Sequence, residues 1–188
     1  GCYLCDPAYR GRGHGLAIWN AGMAYLAGRT VGLDGVPEQQ GNYESSGFRL
    51  AHYSRRYAGR VLGSTDTKCR LAEPKDIPAL LALDREISGT DRTAYLGQWL
   101  RQTRGRQTAV LESDGQITSV GTIRTCRDGH KIGPLFSSDA NSALRLLNAL
   151  VAIAGADNVM IDIPDPNTAA VEIAANLCLT SVVTCARR

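Results

Sequence analysis

Asp6-Pro7-Ala8-Tyr9-Arg10-Gly11-Arg12-Gly13-His14-Gly15 is the stretch that decides how this chain is read. Its three glycines, spaced two apart and flanked by two arginines, separate an apolar run, Gly1 to Cys5, from a segment with helical periodicity. The apolar run reads as a strand. From about His14 to Leu26, the residues Leu16, Trp19, Met23 and Leu26 recur every three or four positions, which predicts a helix with one buried stripe. The first turn of such a helix leaves backbone N–H groups unpaired, and the helix dipole favours negative charge there. Glycines let the backbone approach an anion closely, while Arg10 and Arg12 add charge-assisted hydrogen bonds. Phosphate is the natural occupant. Glycine turns before helices are common, so the loop alone is a weak signal. It does not offer the G-x-G-x-x-G spacing of a dinucleotide fold or the G-K-[ST] ending of a P-loop.

Outward from the loop, Gly28 ends the helix, Thr30 to Val36 reads as a strand, Gln39 to Ser46 as a short helix closed by Gly47, and Phe48 to Tyr57 as a strand. Gly59 to Thr67 has no apolar periodicity and reads as a linker. Beyond it, Pro74 to Ile87 and Arg92 to Gln102 read as helices. Strands are expected at Thr108 to Glu112 and Ile117 to Cys126, joined through Asp114-Gly115, a strong hairpin signal, and at Lys131 to Phe136. Helix Ser138 to Ala154, strand Val159 to Ile163, helix Asn167 to Leu177 and strand Ser181 to Ala186 complete the series. The order strand, helix, strand, helix, strand thus occurs in residues 1–57 and again in residues 131–186. That repeat rests on element order, since the two stretches share little sequence.

The loop resembles the R/Q-x-x-G-x-G/A signature of the GNAT acetyltransferases. Downstream, Leu33-Asp34-Gly35-Val36-Pro37 and Tyr43-Glu44-Ser45-Ser46-Gly47-Phe48 resemble that family's next strand and its Y-E-x-x-G-F helix ending, at the family's separation. The resemblance implies an α/β (α+β) fold of two GNAT-like units, with mixed, mostly antiparallel sheets flanked by helices. Residues 1–60 would be the C-terminal half of a catalytic unit, incomplete at its N-terminus. Residues 67–188 would be a second, degenerate unit, through His130-Lys131-Ile132-Gly133-Pro134-Leu135 and Asp162-Ile163-Pro164-Asp165-Pro166-Asn167. The resemblance further implies that acetyl-CoA is the co-substrate and that a small-molecule or peptide amine attacks its thioester directly. The backbone from Tyr3 to Cys5 would hold the acetyl carbonyl, and the amides of Arg10, Gly11, Arg12, Gly13, His14 and Gly15 the pyrophosphate. Tyr43 would protonate the leaving thiolate. The asparagine that many members carry early in the last helix has no counterpart here. A CoA-binding module without turnover and an ordinary nucleotide-binding domain are the rival readings. A homodimer is compatible with the family.

Composition narrows the classes further. Of 188 residues, 44% are hydrophobic and 21% charged, ordinary values for a folded soluble chain. A formal charge of +3 is too small and dispersed for a nucleic-acid surface, and no apolar run approaches the roughly 20 residues that span a bilayer. The first residue is Gly1 and no leader is visible, so the chain is expected to begin within a longer, cytoplasmic polypeptide. Of the six cysteines only Cys2 and Cys5 have a metal-like spacing, with no second pair near them, so reduced thiols and no metal are expected. His14 is expected to line the loop or face solvent, and His52 and His130 to be structural or exposed. Asp34 reads as a turn-side carboxylate or as a group orienting the acceptor amine. Asp162 and Asp165, beside prolines, read as caps of the following helix or as cleft-lining acids. Arg101, Arg104 and Arg106 read as a solvated face.

Overall fold

The structure, a computed structural model, describes residues 4–188. In chain order the elements are helix α1 (His14–Tyr25), strand β1 (Asp34–Gly35), helix α2 (Gln40–Ser45), and strands β2 (His52–Arg60) and β3 (Cys69–Leu71). Helices α3 (Ile77–Ser88) and α4 (Thr93–Trp99) follow, then strands β4 (Arg106–Ser113), β5 (Gln116–Thr125) and β6 (His130–Ser137). Helix α5 (Ala140–Ala154), strand β7 (Asn158–Pro164), helix α6 (Thr168–Asn176) and strand β8 (Thr180–Arg187) complete the fold. The strands form one sheet in the order β1-β8-β2-β7-β6-β5-β4-β3. All its pairs are antiparallel except β6 with β7. The mixed, mostly antiparallel α/β architecture is the one the sequence implies, and both halves of the chain contribute to the same sheet.

Local chemistry explains the well-defined elements. The β4–β5 hairpin turns through Asp114 and Gly115, both at positive φ (52° and 74°), the conformation a two-residue hairpin turn requires. Parallel pairing of β6 with β7 needs a crossover, which α5 supplies. Leu146, Leu147, Leu150 and Val151 of α5 are buried against Ala109, Leu111, Ile123 and Ile132. Alternation along β4 sends Val110 to the opposite face, where it meets Leu80 of α3 and Leu96 and Leu100 of the α4 region. The sheet is therefore covered on both faces. Helix α5 lies close on β5: a Cβ at Gly121 would come within 2.6 Å of the Leu150 side chain.

Several expectations change. Leu4 and Cys5 belong to no strand, Leu4 being 86% exposed, because no neighbouring strand pairs with them among the described residues. The strand expected from Thr30 to Val36 shrinks to Asp34–Gly35, bridged to the end of β8. The strand expected at Phe48 to Tyr57 starts later, at His52, and is inserted between β7 and β8. The stretch read as a linker is packed: Val61 is buried, the Ser64 N–H donates to Asn148 O, and Asp66 grips Arg145 at 2.7 Å. Leu16 is exposed, not part of the α1 stripe, whereas Trp19, Met23 and Leu26 are half-buried. The cysteines among the described residues are free thiols, and burial pushes Cys69 up to about 11.

One buried carboxylate ties β3 to the start of α3. Asp76 accepts from Arg70 (2.6 Å) and from the Glu73 N–H (2.7 Å), and Arg70 also pairs with Glu112. Arg70 foremost holds Asp76 well below the ordinary carboxylate range, at about 2. A depressed folded-state value means that this stabilisation is complete above about pH 4 and is lost as pH falls through 2. Asp76→Asn should lower stability at neutral pH by about 2 kcal/mol. It should also flatten the decline between pH 4 and pH 2; thermal denaturation across that range, compared with the parent, is the check.

Candidate functional site

The glycine loop is built from short-range constraints. Asp6 caps a single 3₁₀ turn, Pro7–Tyr9, its carboxylate accepting from the Ala8 N–H at 2.8 Å. Arg10 Nε donates back to Cys5 O at 3.2 Å. Gly11 and Gly13 then adopt positive φ, 75° and 82°, and no atom outside their immediate neighbours would meet a Cβ at either, so open space lies above both. Gly13 is the N-cap of α1 and offers no side chain, so no side-chain cap bond is made at the first turn among the described residues. Gly15 lies within that first turn. Arg12 lies over the Tyr9 ring (5.5 Å), and the His14 ring, on an exposed residue, meets the same tyrosine edge-on at 6.1 Å. Neither Arg10 nor Arg12 pairs with a carboxylate among the described residues. Tyr3 lies outside the described residues. Cys5 is half-buried, with its carbonyl taken by Arg10 instead of lying in a strand.

Tyr43 is brought to the side of α1. Its ring stands 5.6 Å from that of Trp19 and 6.4 Å from that of Phe48, and Trp19 also meets Phe48 at 5.8 Å. Trp19 is five residues beyond His14, about 7.5 Å along the helix axis, so Tyr43 sits roughly a turn and a half below the loop. On the other side a Cβ at Gly35 would lie 2.7 Å from the tyrosine ring, so only glycine lets β1 lie this close. Arg188, buried, donates to Glu44 at 2.8 Å and to Gln40 at 3.4 Å on the same short helix. Asp34 is paired with Arg187 at 3.0 Å.

A second concavity lies in the other half. Strands β6 and β7 pair only from His130 to Ile132 and from Val159 to Ile161, then separate around a cavity of about 690 Å³. Leu135, Ile163, Ile173 and Leu179 are among its apolar walls. The following helix, α5, differs from α1 at its start. Asp139 caps it, accepting from the Ser142 N–H at 2.9 Å and the Ser142 hydroxyl at 2.7 Å. The first of these bonds foremost keeps that carboxyl below its ordinary range.

Neither Asp162 nor Asp165 caps α6; Asn167 does, accepting from the Ala170 N–H. Asp165 instead clasps Arg55 (2.9 and 3.0 Å), and Asp162 takes both Arg56 and Lys131. Burial pushes Asp162 up, but those two cations outweigh it and leave the carboxyl below its ordinary value. His52 and His130 are half-buried at the starts of β2 and β6. Arg101 and Arg104 are exposed, whereas Arg106 is half-buried with its guanidinium 4.8 Å from the centre of the Trp99 ring. Among the described residues no group of His, Cys, Asp or Glu could hold a metal ion, and no helix is long and apolar enough to cross a membrane. The β6–β7 cavity and the Trp99 cluster escaped the sequence reading. Their one signal is a pair of prolines, Pro134 in the middle of β6 and Pro164 at the end of β7.

A family model described as an acetyltransferase (GNAT) domain matches residues 80–188, more than half of the chain. The chain belongs to the GNAT acetyltransferase family. The matched region is the half whose cleft lies between β6 and β7, and it does not include the glycine loop. A holothin acyltransferase from a Pseudoalteromonas strain is 32% identical over 167 residues, covering 87% of this chain and 56% of that protein. The chain spans about half the length of the curated relatives it matches. Among solved structures, a candidate acetyltransferase from Pyrococcus horikoshii superposes with a TM-score of 0.78 at 21% identity, over 97% of this chain and 61% of that one. A tandem GNAT protein from the clavulanic acid biosynthesis pathway superposes with a TM-score of 0.62 at 15% identity, over 98% of this chain and 71% of that one. At these identities the structural likenesses establish the GNAT fold.

Proposed function

We propose that this GNAT protein moves an acetyl group from acetyl-CoA to a small-molecule or peptide amine in the cytoplasm. In this reading residues 1–60 belong to the catalytic unit and residues 67–188 form a second unit that shapes it. The observation that carries the assignment is the contrast between two helix starts. Among the described residues the N-terminus of α1 has no side-chain cap, is glycine-lined and is flanked by Arg10 and Arg12, neither paired with an acid, whereas that of α5 is filled by the carboxylate of Asp139. A pyrophosphate fits the first and is repelled at the second. The likeness to a holothin acyltransferase supports acyl transfer as the reaction class.

Bound acetyl-CoA would supply a thioester carbonyl for an amine to attack. The protein's share is positional and protonic. Amides of Gly11, Gly13 and the first turn of α1, with Arg10 and Arg12, hold the phosphate end. Tyr43, on α2 but held against Trp19 a turn and a half along α1, presents a phenol that donates a proton to the departing thiolate. A homodimer remains compatible with this scheme.

Acetyl-CoA should raise the thermal midpoint of the full-length protein, and Gly13→Asp should abolish the shift by placing bulk and negative charge in the cradle. A mutant that keeps parental CoA affinity removes the loop from the site. Tyr43→Phe should lower kcat by about 10²- to 10⁴-fold with acetyl-CoA affinity nearly intact. Turnover kinetics with an accepted amine test this, and binding without turnover in the parent would favour a CoA-sensing module. Calorimetric titration with CoA should give one site per chain. Two sites of similar affinity would show that Asp139 does not exclude the pyrophosphate from α5.

A further inference from the structure

A second, smaller concavity of about 510 Å³ opens along the β6 segment 131–136, between that strand and helix α4, and shares Ile87, Lys131, Gly133, Pro134 and Phe136 with the larger one. Its volume falls within the usual span of small-molecule sites. Its lining combines three cations, Arg92, Arg124 and Lys131, with three aromatic rings, Tyr95, Trp99 and Phe136, and includes no aspartate or glutamate. None of these residues comes from the half that carries the glycine loop.

Two of these three cations are paired behind the wall and one is not. Arg92 is backed by the buried carboxylate of Asp84. Lys131 has only a share in Asp162, which also serves Arg56. Arg124 meets no carboxylate among the described residues; its Nη1 donates to the Cys126 sulfur at 3.2 Å, a weak acceptor. Arg106, just outside the lining, adds a fourth cation over Trp99, and its Nε is buried without a partner. The charge left unpaired at the concavity therefore centres on Arg124, with Arg106 beside it over the same ring.

The rings supply a platform. Tyr95 and Trp99 stack at 5.6 Å with their planes 23° apart, and Tyr95 remains 57% exposed. Trp99 is fixed in its plane by an indole N–H donated to Gly133 O at 3.2 Å. Arg124 stands 6.0 Å from the centre of the Trp99 ring, so its guanidinium borders the platform. A planar carboxylate matches the guanidinium fork, and a flat apolar body matches the stacked rings.

We propose that the concavity between α4 and β6 binds a small aromatic carboxylate, at a site separate from the glycine loop. The aromatic body lies along Tyr95 and Trp99, and the carboxylate faces Arg124. The probes are naphthoate and its neutral isostere naphthamide, titrated calorimetrically into the full chain. Naphthoate should bind at one site, at least about tenfold more tightly than naphthamide, a discrimination typical of a charge-assisted pair. Arg124→Gln should remove that preference and leave naphthamide affinity unchanged, whereas Arg124→Lys should restore part of it. Tyr95→Ala, at an exposed position, should weaken both ligands alike. Gly13→Asp should leave naphthoate binding at the parental level, and saturating CoA should not displace it, so this test is decided independently of the loop assignment. Equal affinity for the two probes, no naphthoate binding, indifference to Arg124→Gln or displacement by CoA would each overturn the proposal.

Discussion

Strand β2 is hydrogen-bonded along both edges, to β7 from Ser54 to Arg60 and to β8 from His52 to Ala58, and the rest of the molecule depends on that double pairing. It comes from the first third of the chain, yet it separates two strands of the last third that α6 alone connects. Closing so large a loop carries an entropic penalty that local structure cannot offset. The sequence answers with two clasps on neighbouring residues. Arg56 faces Asp162 directly across the β2–β7 ladder and is paired with it, while Arg55 is clasped by Asp165 just beyond the strand end. Adjacent residues on a strand point to opposite faces, so the two ion pairs brace the insertion from both sides.

The same insertion positions Tyr43. With β2 in place, the far edge of β8 is left to pair with Asp34–Gly35, and the main chains of Leu33 and Arg188 exchange hydrogen bonds at 2.9 Å. Those few bonds hang the loop and helix α2 on the end of the sheet. The candidate catalytic tyrosine is thus located by the last strand of the half that the GNAT family model matches, while its partner loop is located by α1 through Trp19. The two halves are coupled at the site through backbone bonds and ring contacts, with little buried surface behind them, since α1 has no fully buried residue.

What was legible in the sequence was whatever leaves a local mark. Positive φ selects for glycine or a small polar residue, so the loop at Gly11 and Gly13 and the hairpin at Asp114-Gly115 could be read residue by residue. The buried stripe of α5 follows from its periodicity. Strand neighbours leave no such mark, and the pattern at residues 48–57 said strand without saying that β7 and β8 would flank it. Asp162 and Asp165 read as helix caps or cleft-lining acids because prolines and a helix stand beside them; Asp162 does line the β6–β7 cavity, but the arginine partners of the two lie 106 and 110 residues away. Leu16 fits the apolar spacing of α1, but spacing identifies a face and not what covers it.

Helix α2 is six residues long, far below the length at which a helix holds itself together in water, so its contacts must fix its orientation. The aromatic trio of Trp19, Tyr43 and Phe48 supplies the apolar part, and Gly35 lets β1 approach the ring closely. Arg188 supplies the polar part from the opposite side, reaching Gln40 and Glu44, one turn apart on the helix. Its guanidinium is buried, and its Nε and Nη1 find no partner, an arrangement that forfeits about 1–3 kcal/mol per unsatisfied group. Its two bonds tie the end of β8 to α2 at two positions one turn apart. Tyr43 lies between those two positions on the same helix. Arg188 and the aromatic trio therefore hold one short helix together, at the sheet edge and not in the core.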